Sequence, residues 1–121
     1  MTDRELLELA ARAAGLDLEW CGPWACMARN LGVIDGFDRH TCWDPLKDDG
    51  DALRLAVKLR LSIIQEEEFV LGGYLQTIEV MSEEREDGSR ICVMQSFDDA
   101  PMYATRRAIT RAAAEIGKAM P

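Results

Sequence analysis

At 121 residues, with 48% hydrophobic and 30% charged residues, the chain holds enough apolar material for a single domain, residues 1–121, and too much for a disordered tail. Its formal net charge of −8 repels phosphate backbones and anionic lipid, which disfavours direct binding to nucleic acid or to a membrane surface. No apolar run approaches the ~18 residues of a membrane span, and the opening Thr2-Asp3-Arg4-Glu5 carries both signs, so a cytoplasmic protein with its 4 cysteines reduced is expected.

The first predicted helix begins at a capping box. Thr2 is followed three positions later by Glu5, and Leu6, Leu7, Leu9, Ala10, Ala13 and Ala14 make one apolar face before Gly15 ends the run. Glu8 and Arg12 are spaced to pair on the opposite side. Leu16 to Trp20 alternates and stops at Gly22-Pro23, as a short strand and turn would, and Cys26 to Arg29 can return as a second strand. From there to Thr41 the residues Asn30, Gly32, Asp35, Gly36 and Asp38 punctuate a loop, the natural place for a contact surface.

A second helix is signalled more sharply. Pro45 biases Asp44 to an extended backbone, Asp48 caps the first free amides, and Asp51 adds a carboxylate at the positive helix end. Ala52, Leu55, Ala56 and Leu59 recur at helical spacing, with Leu53 and Val57 widening the arc; Arg60 would fall inside it, so the helix should end near Leu59. Leu61 to Gln65 then reads as a strand, Gly72-Gly73 as a break, Tyr74 to Met81 as a second strand and Glu83 to Gly88 as a charged turn. Ile91-Cys92-Val93-Met94 is apolar on both faces, Cys92 included, which predicts helices above and below the sheet. Asp98, Asp99 and Pro101 open a last helix, in which Ile109, Ala112, Ala113, Ile116, Ala119 and Met120 share an arc and Arg107, Arg111 and Lys118 form an outward basic stripe.

Few residues have the pattern of a reaction centre. Cys21, Cys26, His40 and Cys42 are the one cluster of zinc-ligand type, though neither half is a tight two-residue knuckle. His40 is the sole base available to a cysteine nucleophile, and no orienting partner or oxyanion donor accompanies it. Asp44, Asp48, Asp49 and Asp51 lack the ordered spacing of a calcium loop, and capping accounts for two of them. No phosphate loop or serine elbow occurs, so no enzymatic activity and no cofactor are expected. Of Trp20, Trp24 and Trp43, one or two should anchor the core, and any left exposed is a candidate partner anchor.

Three segments together resemble the phage ABA-sandwich domain family of bacteriophage and prophage proteins. They are Leu6 to Gly15, then Trp43-Asp44-Pro45-Leu46 with Asp48-Asp49-Gly50-Asp51-Ala52-Leu53-Arg54-Leu55-Ala56-Val57-Lys58-Leu59, and finally Ala104 to Ile109 with Arg111 to Gly117. The resemblance spans about half the chain and implies a helix/sheet/helix sandwich of phage origin, residing in the host bacterial cytoplasm, with no established activity and no catalytic or ligand residue to carry over.

The expected architecture is thus an α+β, three-layer α/β/α sandwich, with a mainly antiparallel sheet of three to five strands and helices over residues 3–14, 49–59 and 101–119. The expected role is binding to another protein, with antagonism of a host defence system such as a CRISPR effector as the expected form, where an acidic protein occupies a basic nucleic-acid channel. Glu66, Glu67, Glu68, Glu83, Glu84, Glu86 and Asp87 are the candidate contacts. Alternatives are a zinc or thiol module centred on Cys21, Cys26, His40 and Cys42, and a virion or assembly component.

Overall fold

A computed structural model of the chain describes residues 1–20, 26–28, 41–97 and 100–121, with residues 26–28 and 41 described in backbone alone. The elements run α1 (Asp3–Ala14), β1 (Leu18–Trp20), β2 (Cys26–Ala28), β3 (Thr41–Cys42), α2 (Asp49–Lys58), β4 (Ser62–Val70), β5 (Gly73–Met81), β6 (Cys92–Ser96) and α3 (Pro101–Ala119). The fold is α+β: three helices among the described residues accompany two antiparallel three-stranded sheets, β1-β2-β3 and β4-β5-β6. No described helix is long and apolar enough to cross a membrane.

Local chemistry sets the helix ends. Thr2 Oγ1 accepts from the Glu5 amide at 3.2 Å, and Gly15 closes α1 in the left-handed region at φ 74°. Asp48 Oδ2 accepts from the Asp51 amide at 2.8 Å, while the Asp51 carboxylate reaches back to the Asp44 amide at 2.9 Å and takes a bond from Arg54 at 3.2 Å. One short carboxylate therefore ties the Trp43–Lys47 turn to the helix it precedes. At the other end Arg60 adopts φ 56°, its amide bonding to the Val57 carbonyl and that of Leu61 to the Ala56 carbonyl. This is the Schellman arrangement, and it stops α2 where the apolar arc would have met an arginine.

α3 is the hub. It packs on β5 and β6, with α1 and α2 also against it. Ala10, Ala11, Ala14, Trp43, Leu55, Ile78, Val80, Ala108, Ile109, Ala112 and Ala113 make the buried core. Burying a side chain the size of Leu55 contributes about 1.5–3 kcal/mol. The α1–α3 crossing is backbone-close, because a Cβ built on Gly117 would stand 2.0 Å from the Leu9 carbonyl oxygen.

Several expectations are corrected by the tertiary arrangement. The strand from Ile91 is covered on one face only: Val93 is buried beside Val80, whereas Cys92 and Met94 point to the other face and are exposed. No layer over that second face occurs among the described residues, because every helix packed on this sheet meets it from the side of Ile78, Val80 and Val93. Leu53 and Val57 lie outside the core at 60% and 70% exposure, since α2 presents only Ala52, Leu55 and Ala56 to its neighbours. Ala119 and Met120 are likewise exposed.

The charged pairs differ too. Glu8 pairs with Arg4 at 3.2 Å, and Arg12 instead donates to the carbonyls of Met120 and Pro121 at 3.0 and 2.6 Å, at the negative end of α3. Of the expected basic stripe, Lys118 is exposed, whereas the two arginines are engaged. Arg107 pairs with Asp3 at 3.1 Å, and Arg111 donates to the Met94 carbonyl at 3.1 Å and to Gln95 at 2.9 Å. Arg106 bonds the Leu46 carbonyl at 3.0 Å and Asp49 at 2.6 Å, fastening α2 to α3.

Candidate interaction surface

The β4–β5 hairpin brings exposed acidic and apolar residues together, and every residue of β4 is exposed. Its nine-residue strands pair in register from Ser62–Met81 to Val70–Gly73, closing at a two-residue turn, Leu71-Gly72, with Gly72 at φ 102°. β6 covers β5 only from Thr77 to Met81, so the outer part of the hairpin extends past the third strand. The sequence alone predicts β4 as far as Gln65. The strand runs on through Glu66-Glu67-Glu68 because β5 supplies a partner for each residue, which overrides the poor strand preference of glutamate.

Alternation distributes the hairpin's side chains. Ile63, Gln65, Glu67 and Phe69 share the helix-side face with Tyr74, Gln76, Ile78 and Val80. Ile64, Glu66, Glu68 and Val70 share the opposite face with Leu75, Thr77, Glu79 and Met81. At the tip, Leu71 is wholly exposed, and Phe69 and Tyr74, 76% and 66% exposed, meet edge to face with centroids 5.3 Å apart. These three residues form an apolar group at the tip, whereas neither described tryptophan is exposed there. Trp43 is buried and Trp20 lies under the Arg4 guanidinium, 4.4 Å from its ring centre; Trp24 lies outside the described residues. The aromatic tip has a sequence signal in Phe69 and Tyr74, placed symmetrically about Leu71-Gly72.

The two acidic groups are neither adjacent nor equivalent. Glu66, Glu67 and Glu68 are all exposed on β4 and have no cation within ion-pair distance among the described residues. Glu67 stands opposite Gln76, five residues along β5 from Met81, and thus roughly 17 Å from the 82–91 connection that carries the other four. In that connection Glu83 pairs with Arg60 at 3.4 Å and Glu84 with Arg90 at 3.6 Å. Asp87 accepts from the Ser89 hydroxyl at 2.6 Å and its amide at 2.9 Å, which holds the carboxyl below its usual range. Glu86 is exposed. Much of the charge in this second group is thus engaged locally, leaving β4 as the open acidic segment.

Cys92, expected in the core, is exposed on the uncovered face and donates to Glu79 Oε1 at 3.0 Å. That hydrogen bond, followed by partial burial and the negative charges of Glu79 and Glu66, pushes its thiol above the ordinary value. Cys42 is exposed on β3. Cys21 and His40 lie outside the described residues, as does the side chain of Cys26. Among the described residues no three histidine, cysteine or carboxylate side chains are grouped to hold a metal. Asp48 and Asp51 are occupied as caps, as their spacing suggests. No protein-family model, curated protein or solved structure matches the chain.

Proposed function

We propose that this protein acts by binding another protein rather than by turnover, with the β4–β5 hairpin as its contact element. One observation carries the reading: three consecutive glutamates stand exposed on β4 with no ion-pair partner among the described residues, directly below an exposed apolar tip. Charge steers an oppositely charged partner to the surface, and a desolvated aromatic or aliphatic cluster beside it supplies the lasting contact. The partner is therefore basic. In the phage setting implied by the family resemblance, a host nucleic-acid-binding effector fits best, and occupying its basic channel would inhibit a defence system such as CRISPR interference.

The test compares wild type with the combined Glu66→Lys, Glu67→Lys, Glu68→Lys variant and with a Glu83→Lys, Glu84→Lys control, in salt-graded capture of a purified basic effector. Wild-type capture should fall as salt rises, and the β4 variant should lose about tenfold or more in affinity while the control stays within about twofold. Capture that ignores the β4 reversal would remove the acidic strand from the interface. For the counter-defence role, expression of the chain in a host with active CRISPR immunity should raise the plating of a targeted phage; unchanged plating would reject it.

A further inference from the structure

We infer that the free edge of β4 takes one extended, basic segment of the partner as an added fourth strand; this deepens the binding reading above and rests on it. β5 is the sole strand neighbour of β4 among the described residues. Which backbone groups face outward follows from the ladder. The Phe97 amide donates to the Gln76 carbonyl and the Ser82 amide to that of Ile91, so even-numbered residues of β5 bond toward β6 and odd-numbered ones toward β4. Their β4 partners across the register are Ser62, Ile64, Glu66, Glu68 and Val70. The amides and carbonyls of Ile63, Gln65, Glu67 and Phe69 consequently point away from β5. An open row of this length is a template for strand addition.

The side chains say what the added strand carries. A second copy of this chain, paired antiparallel about Glu66, would set Glu66 against its own counterpart and crowd six glutamates onto one seam, a like-charge arrangement that guards an edge against self-association. A foreign strand with cations at those places would meet no such repulsion. Opposite Glu66, Glu67 and Glu68 it needs three successive lysines or arginines, and opposite Ile64, Phe69 and Val70 it needs apolar residues. Read antiparallel to β4, this specifies the pattern apolar-apolar-basic-basic-basic-any-apolar.

The probe is a fluorescein-labelled peptide, VVKKKTV, titrated with the full chain by fluorescence anisotropy. Its second, fourth and sixth amides would face β4, and its third and fifth would face away. N-methylation of the first set should weaken binding about tenfold or more, methylation of the second should change it less than about twofold, and a shuffled peptide of the same composition should bind about tenfold more weakly. Gln65→Pro, which deletes an outward amide without touching a bond to β5, should weaken the unmodified peptide to the same degree. Should that variant misfold, the paired methylated peptides still decide the matter in the wild-type chain.

Equal binding of the two methylated peptides would overturn strand addition, and if the three-lysine variant still lost affinity for the effector, the acidic contact would survive without it. No binding of VVKKKTV at about 1 mM would also overturn the inference. A dimer in sedimentation that Gln65→Pro dissolves would assign the edge to a second copy and refute it. Loss of the effector's response to charge reversal, by contrast, would remove the underlying binding reading itself.

Discussion

Gly117→Ala isolates what holds α1 and α3 together. The added Cβ would lie 2.0 Å from the Leu9 carbonyl oxygen, 2.9 Å from its carbonyl carbon and 3.3 Å from the Ala13 nitrogen. All three are backbone atoms, so no side chain can rotate away, and α1 must withdraw by more than 1 Å to restore contact near 3.3 Å. That displacement loosens Leu7, Ala10, Ala11 and Ala14 from the core they share with Ala113. Overpacking costs about 1–3 kcal/mol, and a rigid obstacle belongs at the upper end; replacing glycine inside a helix returns about 1 kcal/mol. The net expectation is a loss of roughly 2 kcal/mol, out of about 5–15 kcal/mol for a domain of this size. In urea denaturation the midpoint should fall with unchanged slope, and the melting temperature should drop by about 6–10 °C. Gly50→Ala is the comparison: its Cβ would meet side-chain ends of Arg54 and Asp48 rather than backbone, so its loss should be smaller and limited to the Asp48 cap and the Arg54 pair. A Gly117→Ala protein as stable as wild type would refute the close crossing.

Three further outcomes are expected. Asp51→Ala should destabilise by about 2–3 kcal/mol, leaving the Asp44 amide without its carboxylate in a mostly buried turn, whereas Asp48→Ala should cost about 1 kcal/mol for a lost cap; equal denaturation midpoints would contradict the dual role of Asp51. The Cys92 thiol has a raised pKa in the folded state, so the associated stabilisation is present below the unfolded pKa and fades as pH rises through the folded one. Site-resolved alkylation at pH 9 should accordingly be slower in the folded chain than in urea, and Glu79→Ala should speed it; no acceleration would exclude the Glu79 contact. Leu71→Ser should leave the melting curve unchanged within about 0.5 kcal/mol while weakening effector capture, since Leu71 has nothing to lose in the fold; a clear drop in stability would show that the tip is packed.

What could be read from sequence is what depends on residues within about four positions of each other. Thr2 and Gly15 bound α1, Asp48 starts α2, and Arg60 marks its end, because caps and turns are made by near neighbours whose chemistry is written locally. The α+β class was legible in three one-sided helices and the strands on either side of Gly72-Gly73, although the two-sided cover inferred from Ile91–Met94 was not. The open acidic strand was visible as Glu66-Glu67-Glu68, although not its continuation of β4 or its separation from the 82–91 residues.

Tertiary structure decided the rest. Four apolar letters at Ile91–Met94 permit burial on either or both faces, and only the position of α3 determines that Val93 is covered while Cys92 and Met94 are not. Arg107 and Arg111 read with Lys118 as a solvated stripe until α1 and β6 come close enough to bond the two arginines. Burial and long-range pairing are properties of what lies alongside in space. Periodicity records which residues share a face, but not whether anything covers it.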